Sequence, residues 1–252
     1  MKAIVLAAGR GDRLRPVTDT VPKCMVPVAD VPILTRALSG LAEAGVRDVT
    51  VVVGYLEEAV RGAYGDRFGD VRLTYARNAE YATTTNLVSL WLAREQMDDD
   101  VILLEGDIVL EPPLLRDLVA HPEPDVAVVA PHRAGMDGTV ILPEGNRAGR
   151  FVLERDQGAG FDYGPALKTV NIYKLSARTL RERVVPELEA RVARGSADPY
   201  YEAVFGDLVA DGRLTMGLLE TGAHRWAEVD DAADLQRAEV LFAPVRDRPT
   251  GA

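Results

Sequence analysis

Cysteine is nearly absent: the 252 residues contain one, Cys24. A single thiol excludes an internal disulfide framework and any multi-thiolate zinc site. The three histidines, His121, His132 and His224, show no metal-ligand spacing. No apolar run approaches the roughly 20 residues needed to span a bilayer. Positive charge is in deficit, with 29 Lys+Arg against 39 Asp+Glu and a net charge of −10. Long-range repulsion therefore opposes a broad nucleic-acid or acidic-membrane surface, and neither partner is expected. A small anionic ligand needs only a locally basic pocket. The apolar start, Met1 to Ala8, runs directly into Gly9-Arg10-Gly11 without a spaced cleavage site, so it reads as a buried strand rather than a secretion signal, and a cytoplasmic protein is expected.

What remains is ordinary for a globular chain: 47% hydrophobic and 27% charged residues. The length suits one domain or one domain with a modest insertion. Strands are expected at 3–6, 49–53, 71–75, 101–104 and 126–130. They alternate with helices at 32–44, 56–64, 85–95 and 112–120, which implies a mostly parallel sheet covered on both faces. After Pro131 the pattern changes to short strands at 139–142, 151–153 and 170–173, helices at 180–193 and 200–210, a strand at 214–220 and a closing helix at 232–242. No linker separates the halves. A single domain over 1–242 is expected, with a nucleotide-binding half at 1–131, an acceptor-binding half at 132–242, and a loose tail at 243–252.

The first strand feeds a glycine loop, Leu6-Ala7-Ala8-Gly9-Arg10-Gly11-Asp12-Arg13-Leu14-Arg15, with Pro22-Lys23 shortly after. Small residues let backbone approach a ligand, free N–H groups can cradle phosphate, and three arginines add local positive charge. A dinucleotide fingerprint fails because Leu14 stands where its third glycine belongs, and a Walker loop fails because Lys23 precedes Cys24. The bland alternative is a tight turn with solvated arginines. Three arginines together with a Pro-Lys pair favour phosphate.

These residues, Leu6 to Leu14 followed by Pro22-Lys23, closely resemble the opening of sugar-phosphate and related nucleotidyltransferases. Asn78-Ala79-Glu80-Tyr81 and Thr85-Asn86-Leu87-Val88-Ser89-Leu90-Trp91 look like the cytidylyltransferases acting on phosphocholine and phosphonates, although those often carry two asparagines where this chain has Thr85-Asn86. Glu105-Gly106-Asp107, Lys168 to Lys174 and Trp226 to Asp231 match in the same order. The resemblance implies a Rossmann-like, doubly wound α/β fold with a mixed, mostly parallel sheet and a smaller α+β acceptor-binding portion. It also implies attack by a phosphorylated acceptor on the α-phosphate of a nucleoside triphosphate, with release of pyrophosphate.

Bringing two anions together requires that their repulsion be offset, which Mg2+ does well through carboxylate and phosphate oxygens. Asp107 lies just past a strand at the carboxyl edge of the sheet, where α/β proteins bind ligands. Asp230 follows an extended run, and Glu228 shares its face by alternation. Each alone reads as a turn or cap residue; taken in the family's order they become candidate metal ligands. Lys23 and Arg13 are the candidate catalytic groups, one stabilising charge at the attacked phosphate and the other gripping phosphate oxygens as a fork. Leu6, Ala8, Gly9, Arg10, Gly11, Tyr81, Thr85, Asn86 and Ser89 are candidates for the nucleotide, and Lys168 and Asp137 for the acceptor's anionic group. Asp231 and Asp234 read as helix caps. With aromatic residues at only 6%, no obvious cage for a quaternary ammonium stands out, which tilts the acceptor towards a phosphonate or polar phosphoester.

The expected activity is thus Mg2+-dependent transfer of CMP from CTP to such an acceptor. A sugar-1-phosphate nucleotidyltransferase using dTTP, UTP or GTP and a non-catalytic nucleotide-binding regulatory subunit are the alternatives, and a homodimer is left open.

Overall fold

The computed structural model describes residues 1–195 and 200–244, so the expected tail lies, from 245 onward, outside the described residues. In chain order the elements are β1 (Lys2–Ala7), β2 (Pro27–Val28), β3 (Val31–Pro32), α1 (Ile33–Glu43), β4 (Asp48–Val53), α2 (Glu57–Tyr64), β5 (Arg67–Phe68), β6 (Val71–Arg77), α3 (Asn86–Leu92), β7 (Val101–Glu105), β8 (Ile108–Leu110), α4 (Pro112–Ala120) and β9 (Val126–Pro131). There follow β10 (Val140–Glu144), β11 (Arg147–Val152), β12 (Leu167–Leu175), α5 (Ala177–Thr179), a π turn (Leu180–Val184), α6 (Val185–Ala193), α7 (Glu202–Ala210), β13 (Gly217–Glu220), β14 (Trp226–Glu228) and α8 (Ala232–Phe242).

Among the described residues, ten strands form one sheet in the order β10-β11-β13-β9-β12-β7-β1-β4-β6-β5. Its centre, β7-β1-β4-β6, is parallel. Alternation along β1 sends Ala3, Val5 and Ala7 into a core shared with α1 and α4. Ile4, Leu6 and Ala8 go into the opposite core, shared with α3, α6 and α7. Helices thus cover both faces of the sheet.

The second half extends the same sheet. β12 is longer than the expected strand at 170–173 and runs antiparallel between β7 and β9, so residues from the two halves of the chain share one sheet. The sheet is therefore mixed beyond its parallel centre. Other boundaries also differ from expectation: the strand expected at 151–153 is β11, which starts at Arg147, and the helix expected at 180–193 starts at Ala177 and passes through the π turn. The helix expected at 85–95 closes at Leu92, and the last strand of the sheet begins at Gly217.

A separate two-stranded ladder pairs β8 with β14, Ile108 opposite Glu228, and Val229 N donates to Asp107 O at 3.1 Å. Below it Leu14, Val26, Val109, Val229 and Phe242 form a small core under α8. Asp231 caps α8 by accepting from Ala233 N and Asp234 N, while Asp234 accepts from Asp231 N and also from Asp230 N. The expected caps thus hold the backbone of Asp230 as well. Among the described residues, no helix is long and apolar enough to cross a membrane.

Candidate active site

Two glycines, Gly54 and Gly106, meet the backbone at the end of β1, and a third, Gly11, shapes the loop that follows it. Gly11 adopts φ +64°, a left-handed conformation that favours glycine, and Thr18 Oγ1 donates to its carbonyl at 2.8 Å. A Cβ on Gly54 would lie 2.8 Å from Tyr81 Cβ and 2.9 Å from Ala8 O, and one on Gly106 would lie 2.8 Å from Leu6 O. These close approaches draw the ends of β1, β4 and β7 around one cleft. Gly106→Ala is therefore expected to push β7 off β1 and to lower stability by about 1–3 kcal/mol, measured by urea denaturation.

The cleft holds a cavity of about 190 Å3, lined on one wall by Leu6, Ala8, Gly9 and Gly11 and on the other by Tyr81, Thr85, Asn86 and Ser89. Arg10, expected with them, is not brought to this cavity: it pairs with Asp12 at 3.5 Å and lies 6.0 Å above the Tyr55 ring, and these contacts hold its guanidinium outside. Asn86 has both ends of its amide engaged by protein. Nδ2 donates to Glu105 Oε1 at 3.1 Å, and Oδ1 accepts from Tyr201 N at 3.3 Å. Ser89 accepts from Asn78 Nδ2 at 3.0 Å, which leaves its own proton free to donate.

A larger cavity of about 850 Å3 is lined by Lys168, Asp137, Glu228 and Asp230. Lys23 joins the two. Its Nζ lies 2.6 Å from Asp107 Oδ2, on the wall of the smaller cavity, and 2.5 Å from Asp230 Oδ1, on the wall of the larger. Arg13 reaches Asp230 at 2.9 Å and Asp137 at 3.7 Å from the solvent side. Burial pulls the Lys23 ammonium down, but Asp107 and Asp230 more than reverse this and hold it above its ordinary value. Burial likewise pushes Asp230 up, and Lys23 and Arg13 bring it below the usual carboxylate range.

Lys168, 2% exposed, pairs with Glu228 at 3.3 Å, and Asn171 Nδ2 donates to the same carboxyl at 3.1 Å. Asn171 sits at φ +58°, and Thr169 Oγ1 fixes its amide oxygen at 3.0 Å. Burial raises Glu228 to about 7 against the opposing pull of Lys168, with Asp107 and Asp230 adding to the rise. The folded protein then holds a proton that the unfolded chain has lost above the ordinary carboxyl value. The contribution of this group to stability declines as pH rises towards about 7. Glu228→Gln is expected to remove that part of the pH dependence, as read from denaturation midpoints taken across this range.

Carboxylate oxygens of Asp137, Glu228 and Asp230 lie within 4.8 Å of one another. Asp137, expected at the acceptor, thus joins this group, whereas Asp107, expected as a ligand, stands outside it on the far side of Lys23. Asp107 Oδ1 is nevertheless buried without a hydrogen-bond partner. An all-oxygen donor set with an orphaned carboxylate oxygen fits a hard cation such as Mg2+.

Sequence reasoning missed Glu105, Asn78, Asn171, Tyr201 and Glu202. The first three stand inside motifs already quoted, Glu105-Gly106-Asp107, Asn78-Ala79-Glu80-Tyr81 and Lys168 to Lys174. Burial raises Glu105 well above the ordinary carboxyl value, with Asp107, Glu202 and Glu228 adding repulsion.

A family model for the MobA-like NTP transferase domain matches residues 3–194. The chain belongs to this family of nucleotidyltransferases. Among its relatives, the CMP-5'-(3-aminopropyl)phosphonate synthase of Streptomyces rubellomurinus is 39% identical over 249 residues, covering 98% of this chain and 40% of that protein. The choline-phosphate cytidylyltransferase of Streptococcus pneumoniae is 39% identical over 106 residues, 41% of this chain and 43% of the relative. The chain thus spans about two fifths of the length of the first of these relatives, 40%. The solved structure of the Streptococcus pneumoniae CTP:phosphocholine cytidylyltransferase shares the fold, with a TM-score of 0.75 and 24% identity over 95% of this chain and 97% of that one. In this nucleotidyltransferase the ends of the parallel strands at the centre of the sheet border the smaller cavity, and the loops at 131–137 and 221–225 with β14 supply much of the wall of the larger, to which β12 adds Lys168.

Proposed function

We propose that this nucleotidyltransferase is a Mg2+-dependent cytidylyltransferase that joins CMP from CTP to a phosphonate or phosphoalcohol and releases pyrophosphate. The observation that carries this reading is Lys23 held between Asp107 and Asp230 at the boundary of two cavities. The cytidine end of CTP occupies the smaller cavity and the acceptor the larger, a division of labour between residues 1–131 and 132–242. The backbone of Ala8 to Gly11 receives phosphate oxygens, and Lys23 places a fixed positive charge where negative charge grows as the α-phosphate is attacked. Arg13 reaches the same region from solvent and grips oxygens in a fork. Lys168 holds the acceptor's anion, and no covalent enzyme intermediate is required, since positioning and charge neutralisation suffice. Asp107, Asp230, Glu228 and Asp137 are the residues that would hold Mg2+, which supplies charge neutralisation at the phosphates.

Base choice rests on polar groups facing the smaller cavity. Ser89 has a proton to donate, and the backbone at Ala8 and Gly9 offers further partners. A pocket suited to cytosine leaves a group unpaired with uracil or thymine, at about 1–3 kcal/mol, or on the order of tenfold to a hundredfold in kcat/KM. CTP is therefore expected to exceed UTP and dTTP by this factor, with purine triphosphates poor. The test is a grid of triphosphates against phosphonate and phosphoester acceptors, read by phosphorus NMR for a new P–O–P linkage. A preference for dTTP, UTP or GTP would replace this reading with a sugar-1-phosphate nucleotidyltransferase.

A further inference from the structure

The loop at 132–138, which brings Asp137 to the site, is mostly exposed chain. Its residues from Arg133 to Asp137 line the larger cavity, and all of these but Met136 are exposed. Just past Asp137 the loop runs over Lys168. Gly138 adopts φ +84°, and a Cβ placed on it would lie 3.1 Å from Lys168 Nζ. Thr139 O then accepts from Thr169 N at 3.2 Å and from Thr169 Oγ1 at 2.9 Å, which joins the loop to β12. The course of this loop therefore decides where Asp137 stands relative to Lys168.

A glutamine from the connection between β11 and β12 grips the loop from outside. Gln157 is half-buried, whereas Glu154 to Asp156 before it and Gly158 to Gly160 after it are exposed. Its Nε2 donates to Gly138 O at 2.8 Å and to Val152 O, at the end of β11, at 2.9 Å, so both amide hydrogens are used. Tyr163 OH donates to Gln157 Oε1 at 3.0 Å and so keeps the donor end of the amide towards the two carbonyls. The Tyr163 ring stacks on His132, at the other end of the loop, with ring centres 4.2 Å apart, and Phe161 meets it edge-on at 4.8 Å. Neither Gln157 nor Tyr163 lines either cavity.

We propose that Gln157, oriented by Tyr163, is a positioning residue for the acceptor half of the site, acting through the loop that carries Asp137 and covers Lys168. This rests on the reading of the larger cavity as the acceptor's. Two carbonyl oxygens aimed at one point repel each other, and the shared amide nitrogen is what allows Gly138 to approach the fixed end of β11. Without that donor the exposed loop recovers its hydrogen bonds from water by moving outwards, so the loss appears as displacement rather than unfolding. The nucleotide's cavity lies at the other end of Lys23 and is untouched.

The test measures KM for 2-aminoethylphosphonate and for CTP separately, together with the rate at which trypsin cuts after Arg133. Gln157→Met keeps the length of the side chain and removes its donors. It is expected to raise the acceptor KM by on the order of tenfold to a hundredfold, to leave KM for CTP within about twofold, and to lower Tm by less than about 4 °C. Cleavage after Arg133 is expected to quicken by about tenfold, because the loop opens locally. Tyr163→Phe keeps the stacked ring and loses only the hydroxyl, so a smaller rise of about threefold is expected. Added to Gln157→Met it is expected to raise KM no further, because the tyrosine acts through the glutamine. An unchanged acceptor KM in Gln157→Met overturns the proposal, as does an equal rise in both KM values, which a merely structural role would give. Should Gln157→Met fail to fold, unchanged acceptor KM and unchanged cleavage in Tyr163→Phe overturn it. Absence of CMP transfer to every acceptor in the wild type overturns the cytidylyltransferase reading instead, and the cleavage rates then decide by themselves whether Gln157 holds the loop.

Discussion

Replacing Lys23 by alanine is expected to lower kcat by about a hundredfold to a thousandfold, because a preorganised charge contact to a phosphate under attack is worth roughly 3–4 kcal/mol. The lysine cannot be lost quietly. Asp107 and Asp230 both hold its ammonium, and removing it leaves two carboxylates facing each other with no cation between them. Their side chains retain 14% and 18% of their exposure, so solvent screens part of the repulsion and the stability cost stays near the low end of the range for a broken buried pair, about 3 kcal/mol. Mg2+ is therefore expected to raise the Tm of the variant more than that of the wild type, since a divalent cation can take the vacated place between the acids. The measurement is kcat at saturating CTP and acceptor, with melting curves at several Mg2+ concentrations. Unchanged kcat would remove Lys23 from the reaction.

Asp107→Asn and Asp230→Asn are each expected to reduce Mg2+-dependent turnover by at least about a hundredfold, because a neutral amide oxygen holds a hard cation far less well than a carboxylate. Their consequences should differ. Asp107 faces the smaller cavity with an unpartnered oxygen, so its loss should appear chiefly in kcat and in the Mg2+ concentration needed for half activity. Asp230 also anchors Arg13 and belongs to the carboxylate group with Asp137 and Glu228. Its loss should in addition raise KM for the acceptor. Calorimetric titration of Mg2+ into each variant separates weaker metal binding from a misplaced substrate. Wild-type turnover at limiting Mg2+ in either variant would show that its carboxylate is not a ligand.

The parts of this site that are visible in the sequence lie on short stretches of chain. The glycine loop is one, because a buried strand must end where small residues begin, and alternation along β1 fixes which side chains reach which core. Asp107 and Asp230 are recognisable because each follows a stretch that reads as extended strand. Their meeting on Lys23 is not recognisable, since the lysine stands 84 and 207 residues from them. β12 is hidden for a different reason. Its nine residues, Leu167–Leu175, are buried on both faces apart from the first, so no alternation marks its length. Glu105 and Glu202 are hidden because a carboxyl flanked by apolar residues carries no mark of being buried itself. Asp137 looks like any turn carboxylate in a glycine-rich loop until folding sets it beside Asp230.

The small ladder of β8 with β14 has a consequence for how this protein can vary. Asp107 immediately precedes β8 and Asp230 follows just after β14, and the bond from Val229 N to Asp107 O ties them across the rungs. The spacing of the two acids is therefore set by backbone pairing and is independent of the chain that runs between them. The hairpin of β10 with β11 and the loops on either side of it can lengthen, shorten or change composition while this gauge keeps its setting. A lineage, or an engineer, can rewrite what the larger cavity accepts as though exchanging a fitting on a fixed mount.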